Sequence, residues 1–277
     1  MTPPDLHGAE PVAEIPAAQP QSNRRLVFIT GASGGIGQAL ARHYARAGWH
    51  LALVVRDAPA QRDWLSGLGL GQERAQVYVA DMREVDSVIA VARDCLAAQG
   101  LPELVIASAG ISVGMDSTDR ADLEVMRETF EVNCLATAAT FHAFIEPMRA
   151  AGAGTLVGIA SVAAVRGLPG HGAYCASKSA VVAYCESLRC ELSPLGVRVL
   201  TLLPGYVDTP MTHNNRYRMP FLMAPEVFAA RAARAIGQGK RHSIIPWQMA
   251  GLAMLLRLMP GWLFERVMAR RGRKNRR

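Results

Sequence analysis

Cysteine is scarce in this chain, aromatic residues are few, and no long apolar run occurs. There are 5 cysteines in 277 residues, and 6% of the residues are aromatic. Cys95, Cys134, Cys175, Cys185 and Cys190 show no C-x-x-C spacing and no clustering with histidine. That pattern excludes a metal-binding cysteine motif and is expected of free thiols in a reducing compartment. No His/Cys/Asp spacing resembles a metal site. No stretch of about 18 uncharged apolar residues exists, so no membrane-spanning helix is expected. The first 23 residues, MTPPDLHGAEPVAEIPAAQPQSN, carry acids and lack an apolar h-region, so they do not read as a secretory signal. Their Pro, Ala and Gln content predicts a disordered arm, and the expected location is the cytoplasm.

Charge of one sign is also missing from most of the chain. The net charge is +7. From Trp247 to Arg277 there are eight basic residues and one acid, Glu265, an excess equal to the net charge of the whole. The remainder is neutral. A general nucleic-acid binder would not carry its charge this way. The 50% hydrophobic content suits one large domain with a well-filled core.

Short β-branched and apolar runs recur along the chain: residues 24–30, HLALVV (50–55), AQVYVA (75–80), ELVIAS (103–108), GTLVGIAS (154–161) and VRVLTLLP (197–204). Continuous rather than alternating apolar runs predict strands covered on both faces. Helical patterns lie between them, at 36–48, 85–100, 123–148 and 174–196. Gly48, Gly100 and Gly196 stand where helix C-termini are expected. The expected fold is α/β, a single-domain Rossmann-like doubly wound parallel sheet with helices on both faces, over residues 24–245.

Two motifs carry chemistry. TGASGGIG, Thr30 to Gly37, follows the first strand and opens a helix. Such a turn brings a pyrophosphate against backbone N–H groups at a helix N-terminus. The second is Tyr174 with Lys178, one helical turn apart, thirteen residues after Ser161. A free phenol titrates near pH ~10, and a nearby ammonium favours the phenolate. A serine hydroxyl opposite would hold a carbonyl or alcohol oxygen. The adjacent Cys175 points about 100° away on the helix.

With these residues the chain resembles the short-chain dehydrogenase/reductase family, over roughly residues 24 to 245. Thr30–Gly37 is similar to the family's T-G-x-x-x-G-x-G motif, and Tyr174 and Lys178 to its Y-x-x-x-K. Asp81 matches the acid at the adenine edge. Ala107-Ser108-Ala109-Gly110 stands where N-N-A-G is usual, without either asparagine. Asn133, Ser161, Tyr174 and Lys178 match the catalytic tetrad, and Ala136 replaces a common glycine. Pro204-Gly205 and Thr209 match the P-G-x-x-x-T stretch beside the nicotinamide. The resemblance implies a cofactor site of Gly31, Ser33, Gly35, Ile36, Gly37, Arg56, Asp81, Ala109, Gly110, Pro204, Gly205, Val207 and Thr209, with Tyr174 and Lys178. It also implies a homodimer or homotetramer through the helices near 123–148 and 174–192.

NADP is expected rather than NAD. The second strand closes with Val55, so no carboxylate stands there for free ribose hydroxyls, and Arg56 follows for a 2′-phosphate. The expected activity is reversible reduction of a ketone or aldehyde. Tyr174 passes the proton, Lys178 lowers its pKa and holds ribose, Ser161 polarises the carbonyl, and Asn133 holds a relay water. Two alternatives remain open at this point: a non-catalytic dinucleotide-binding regulator, and an epimerase or dehydratase on the same scaffold.

The expected pocket is apolar, from Val162, Ala163, Val165, Leu168, Tyr206, Met211, Met219, Phe221 and Met223, the last five in a lid over about 205–223. That suggests a lipophilic small molecule. His171 reads as a loop histidine near the pocket mouth and His213 as a lid residue. The extension 246–277 is apolar from Trp247 to Phe264, then basic. Two readings fit it: a helix lying on a membrane surface, and a helix packed on the body or across a dimer.

Overall fold

The computed structural model describes residues 24–213, 215 and 218–269. The arm at 1–23 and the basic end at 270–277 lie outside the described residues. In chain order the main elements are β1 (Leu26–Thr30), α1 (Gly35–Arg46), β2 (His50–Val55), α2 (Ala58–Gly67), β3 (Ala75–Val79), α3 (Val85–Gln99), β4 (Leu104–Ala107), α4 (Asp122–Phe130) and α5 (Ala136–Ala151). There follow β5 (Thr155–Ile159), α6 (Gly172–Leu192), β6 (Arg198–Pro204), α7 (Pro210–His213), α8 (Pro225–Gly237), β7 (His242–Ile245), α9 (Gln248–Leu258) and α10 (Gly261–Met268).

All seven strands are parallel, in the order β3-β2-β1-β4-β5-β6-β7. This is the expected Rossmann-like sheet. The six apolar runs each become a strand, and β7 is the strand that run-reading passed over. Successive side chains of a strand point to opposite faces, and β1 divides accordingly. Leu26 and Phe28 enter one core cluster with Phe141, Phe144 and Met148. Val27 and Ile29 enter the other, with Leu40, Trp49 and Phe228. Gly48, Gly100 and Gly196 all have positive φ, as expected just beyond helix ends.

Two expected long helices are shorter or broken. The pattern over 123–148 divides into α4 and α5 around a π-helical turn, Glu131–Leu135, that contains Asn133. The second, α6, ends at Leu192, and a 3-10 turn, Ser193–Leu195, completes the span.

The order reverses between β1 and β4, the place where a crevice opens beyond the carboxyl ends of parallel strands. Register puts Thr30, the last residue of β1, beside Ala107, the last of β4. Both loops that leave these strands are therefore adjacent at the crevice.

Phe28 and Phe144 are fully buried and meet edge to face at 4.9 Å, tying α5 to the central strand. Phe144→Ala should lower unfolding stability by about 3–5 kcal/mol in a urea titration, because the sheet behind the cavity cannot collapse to fill it.

Candidate active site

The β1–α1 turn is built for close approach. Gly31 has φ +65°, and a Cβ there would lie 2.7 Å from the Ala109 Cα. A Cβ on Gly37 would meet the Gly31 carbonyl, and one on Gly35 would sit 2.6 Å from the Thr209 methyl. The turn thus presses against the loop after β4 on one side and the loop after β6 on the other. The Thr30 hydroxyl accepts from the N–H groups of Ser108 (3.2 Å) and Ala109 (3.4 Å). These bonds hold the segment where both family asparagines are absent. Gly34 caps α1 with no side chain, so the N-terminal N–H groups of this 12-residue helix face the crevice uncovered. The cradle fits a dinucleotide pyrophosphate, since only hydrogen stands where side chains would fill it.

Every expected cofactor residue lies at this carboxyl edge: Gly31, Ser33, Gly35, Ile36 and Gly37 after β1, Arg56 after β2, Asp81 after β3, Ala109 and Gly110 after β4, and Pro204, Gly205, Val207 and Thr209 at the end of β6. Val207 differs from the rest. Its side chain is in the core and its carbonyl accepts the Thr212 hydroxyl at 2.7 Å. Asp57, next to Arg56, caps α2 by accepting from the Ala60 N–H at 3.2 Å. Asp81 is held by Arg83, whose Nε lies 3.0 and 3.1 Å from its two carboxylate oxygens. Arg83, with a smaller contribution from Arg56, brings the Asp81 carboxyl down to about 2. Arg83 went unread in the sequence because nothing local distinguishes it from a solvated arginine.

The four residues expected to form a tetrad lie near the ends of β4 and β5 and on α6. A Cβ on Gly158 would collide with Cys185 at 2.6 Å, so that glycine lets α6 lie directly on β5. Lys178 then reaches the Ile159 carbonyl with its Nζ at 2.9 Å and is buried, 4% exposed. Burial depresses its ammonium to about 8. Asn133 accepts from the Ile111 N–H at 2.8 Å and donates to the Ile111 carbonyl (3.0 Å) and the Ser177 hydroxyl (2.9 Å). Its amide is thus occupied in joining the β4 loop to α6. Ser177, which no motif marked, is buried and donates to the Tyr174 carbonyl at 3.0 Å.

Ser161 caps a short 3-10 turn, accepting from the Ala163 N–H at 3.1 Å. Its hydroxyl and the Tyr174 phenol line the same cavity. Burial raises the Tyr174 pKa above the ordinary phenolic value, with the nearby Ser161 hydroxyl acting in the opposite direction. The one-turn spacing makes Lys178 the expected influence that lowers that phenol; in the folded protein burial dominates, Ser161 and Cys175 follow, and the shift is upward, with no contribution from Lys178.

Ser161 and Tyr174 line a cavity of about 440 Å³. Val162, Ala163, Val165, Leu168, Tyr206 and Met211 line it as expected. Met219, Phe221 and Met223 do not. Met223 bridges back to Val207 and is buried in the core, Phe221 points outward, and Met219 receives the Asn215 amide. The lid offers Thr212, Asn215, Arg218 and Pro220 instead. His171 is buried and lines the cavity, with its Nδ1 3.1 Å from the Pro169 carbonyl, rather than touching solvent. His213 faces outward, 3.0 Å from Asp208. The far wall is α9, through Met249, Leu252, Ala253 and Leu256. Those four follow an i, i+3, i+4, i+7 stripe, a signal of a packed face that the sequence carried.

Residues 25–219 match the model of the short chain dehydrogenases. The chain belongs to that family. It is an oxidoreductase of the NAD(P)-dependent kind. An uncharacterized oxidoreductase of Myxococcus xanthus is 34% identical over 244 residues, covering 87% of this chain and 95% of its own. Dehydrogenase/reductase SDR family member 7B of Danio rerio is 32% identical, covering 92% of this short-chain dehydrogenase and 88% of its own chain. Among solved structures, a short chain dehydrogenase from Burkholderia cenocepacia in complex with NADP superposes with a TM-score of 0.75 at 26% identity, over 88% of this chain and 98% of that one.

Between its folded value of about 8 and the free value of 10.5, Lys178 holds fewer protons in the folded state than in the unfolded one. Stability therefore rises with pH across that window, and the burial cost is fully present below it. In cofactor-free protein near pH 7, Lys178→Met should be more stable than the parent by about 1–3 kcal/mol. The gap should close as pH approaches the free lysine value, as read from urea midpoints.

Proposed function

We propose that this protein is an NADP-dependent reductase of a lipophilic ketone or aldehyde, acting through Ser161, Tyr174, Lys178 and Asn133. The observation that carries the reading is that Ser161 and Tyr174 together line a largely apolar cavity, with Lys178 buried one helical turn beyond Tyr174. The reduced cofactor, NADPH, would supply the hydride when bound and would leave as NADP+.

A substrate carbonyl oxygen between Ser161 and Tyr174 accepts from both hydroxyls. Each bond strengthens as negative charge grows on that oxygen. Tyr174 then transfers its phenolic proton to the oxygen. Burial that keeps the phenol protonated suits it to donation, which is the direction of reduction. Lys178 binds the nicotinamide ribose hydroxyls and stabilises the phenolate left after transfer. Asn133 positions the loop after β4 and the first turns of α6, and through them Lys178 and Tyr174. The proton is restored to Tyr174 from solvent by way of Lys178.

NADP over NAD is supported by three features together. Val55 ends β2 without a carboxylate, the neighbouring Asp57 is occupied at the α2 cap, and Arg56 and Arg83 both act on Asp81 at the adenosine end of the crevice. A 2′-phosphate suits two guanidinium groups. The apolar walls, from Val162 to Leu168 and from α9, support a lipophilic substrate.

Tyr174→Phe should reduce turnover of NADPH with an accepted carbonyl by about 10²–10⁴-fold. NADPH binding, followed by fluorescence titration, should stay within a factor of about two. Retained turnover, or epimerisation or dehydration without net NADPH consumption, would refute the reading. Arg56→Ala should raise the KM for NADPH by about 10- to 100-fold while leaving that for NADH nearly unchanged. An equal change for both cofactors would remove Arg56 from phosphate recognition.

A further inference from the structure

The inner face of α9 walls the cavity, but its outer face is apolar as well. Met254, Leu255 and Leu258 are 61%, 60% and 73% exposed. Trp247 precedes the helix at 75% exposure, and Trp262 on α10 is exposed at 69%. A helix apolar on all sides is normally covered on all sides. These side chains amount to several hundred Å² of apolar surface, roughly the upper limit for a soluble monomer. The lid adds to them: Met211 lines the cavity yet is partly exposed, and Phe221 and Leu222 project outward next to Pro220. Phe221 does so with φ +58°, a conformation unfavourable for a bulky residue.

Arg166 locks this surface to the catalytic loop. Its Nη1 donates to the carbonyls of Leu256 and Met259, both at 2.6 Å, satisfying groups at the C-terminal end of α9. The same guanidinium lies 4.1 Å from the centre of the Phe264 ring on α10. Arg166 itself lines the cavity, five residues beyond Ser161. The two helices therefore cannot be displaced without disturbing the cavity wall.

Charge identifies what covers the face. Arg257 and Arg266 sit on these helices, and the sequence continues with Arg270, Arg271, Arg273, Lys274, Arg276 and Arg277 against the single acid Glu265. Two copies meeting through this face would bring together two strongly cationic segments. An anionic lipid surface accepts both the tryptophans and the cations.

We propose that α9 and α10 seat the protein on an anionic membrane surface, with the cavity mouth at the lipid boundary, so that a lipophilic carbonyl enters from the bilayer. Docking stands on the exposed face and the charge alone. Entry of the substrate from lipid rests on the carbonyl-reductase reading above.

Vesicle flotation of the full chain separates the two. The protein should float with vesicles of equal parts phosphatidylcholine and phosphatidylglycerol, and not with phosphatidylcholine alone. Binding should weaken about tenfold or more when ionic strength is raised enough to screen the cations. The intrinsic tryptophan emission should shift to the blue on addition of the anionic vesicles. Trp247→Ser with Trp262→Ser, neither of which lines the cavity, should lose flotation while keeping NADPH binding and melting temperature. Absence of the parent chain from the anionic vesicle fraction overturns docking, as does undiminished flotation of the double variant. A parent dimer that the double variant converts to monomer, without vesicle binding, assigns the face to a second copy instead. Loss of turnover with every carbonyl tried, alongside intact flotation, overturns the carbonyl-reductase reading and leaves docking standing.

Discussion

Lys178 is a cation placed where cations are costly. The residue is 4% exposed, on α6 against the end of β5, and its ammonium donates to the Ile159 backbone carbonyl. Desolvation alone would drive such a group toward neutrality. It is tolerated because the surrounding backbone is fixed by other means. Gly158 lets α6 lie close enough for the contact, and Gly110 leaves room, since a Cβ there would stand 3.2 Å from the Lys178 Nζ and 3.1 Å from the Asn133 Oδ1. Asn133 then ties the β4 loop to α6 through Ile111 and Ser177. The π-helical turn at Glu131–Leu135 interrupts an otherwise continuous helix at the position of that asparagine.

The crevice on the other side of β4 follows from the same economy of space. The turn after β1 can touch the Ala109 backbone only because position 31 has no side chain. Thr30 supplies the hydrogen bonds that hold the facing loop. The space against these main-chain N–H groups, of the kind that accepts a phosphate, is a consequence of how tightly two adjacent strands end. The cavity lies beyond, walled by α9, with Ser161 and Tyr174 among its polar lining.

Much of this was legible in the residues. Six apolar runs became six strands, because a strand covered on both faces needs a continuous apolar sequence. The glycine turn and the Y-x-x-x-K spacing are local, and local geometry preserved them. What escaped were pairings across the fold. Arg83 near Asp81, Asp57 at the α2 cap, Ser177 under Asn133 and Arg166 under the α9–α10 turn each look like ordinary polar residues in sequence. Met223 was read as lid and is core, because a bridge to Val207 folds the end of the lid back onto the sheet.

The sequence by itself determined the parallel α/β sheet, the glycine turn after β1 and the placing of Tyr174 and Lys178 one helical turn apart, since each depends on spacing within one or two neighbouring elements. Tertiary structure alone decided which side chains are desolvated and which are engaged. It turned the dominant influence on the Tyr174 phenol from a neighbouring cation to burial, directed the Asn133 amide onto the Ile111 backbone, and divided α9 into a wall of the cavity and an exposed apolar face. Burial and pairing are properties of packed surfaces, and residues far apart in the chain make those surfaces.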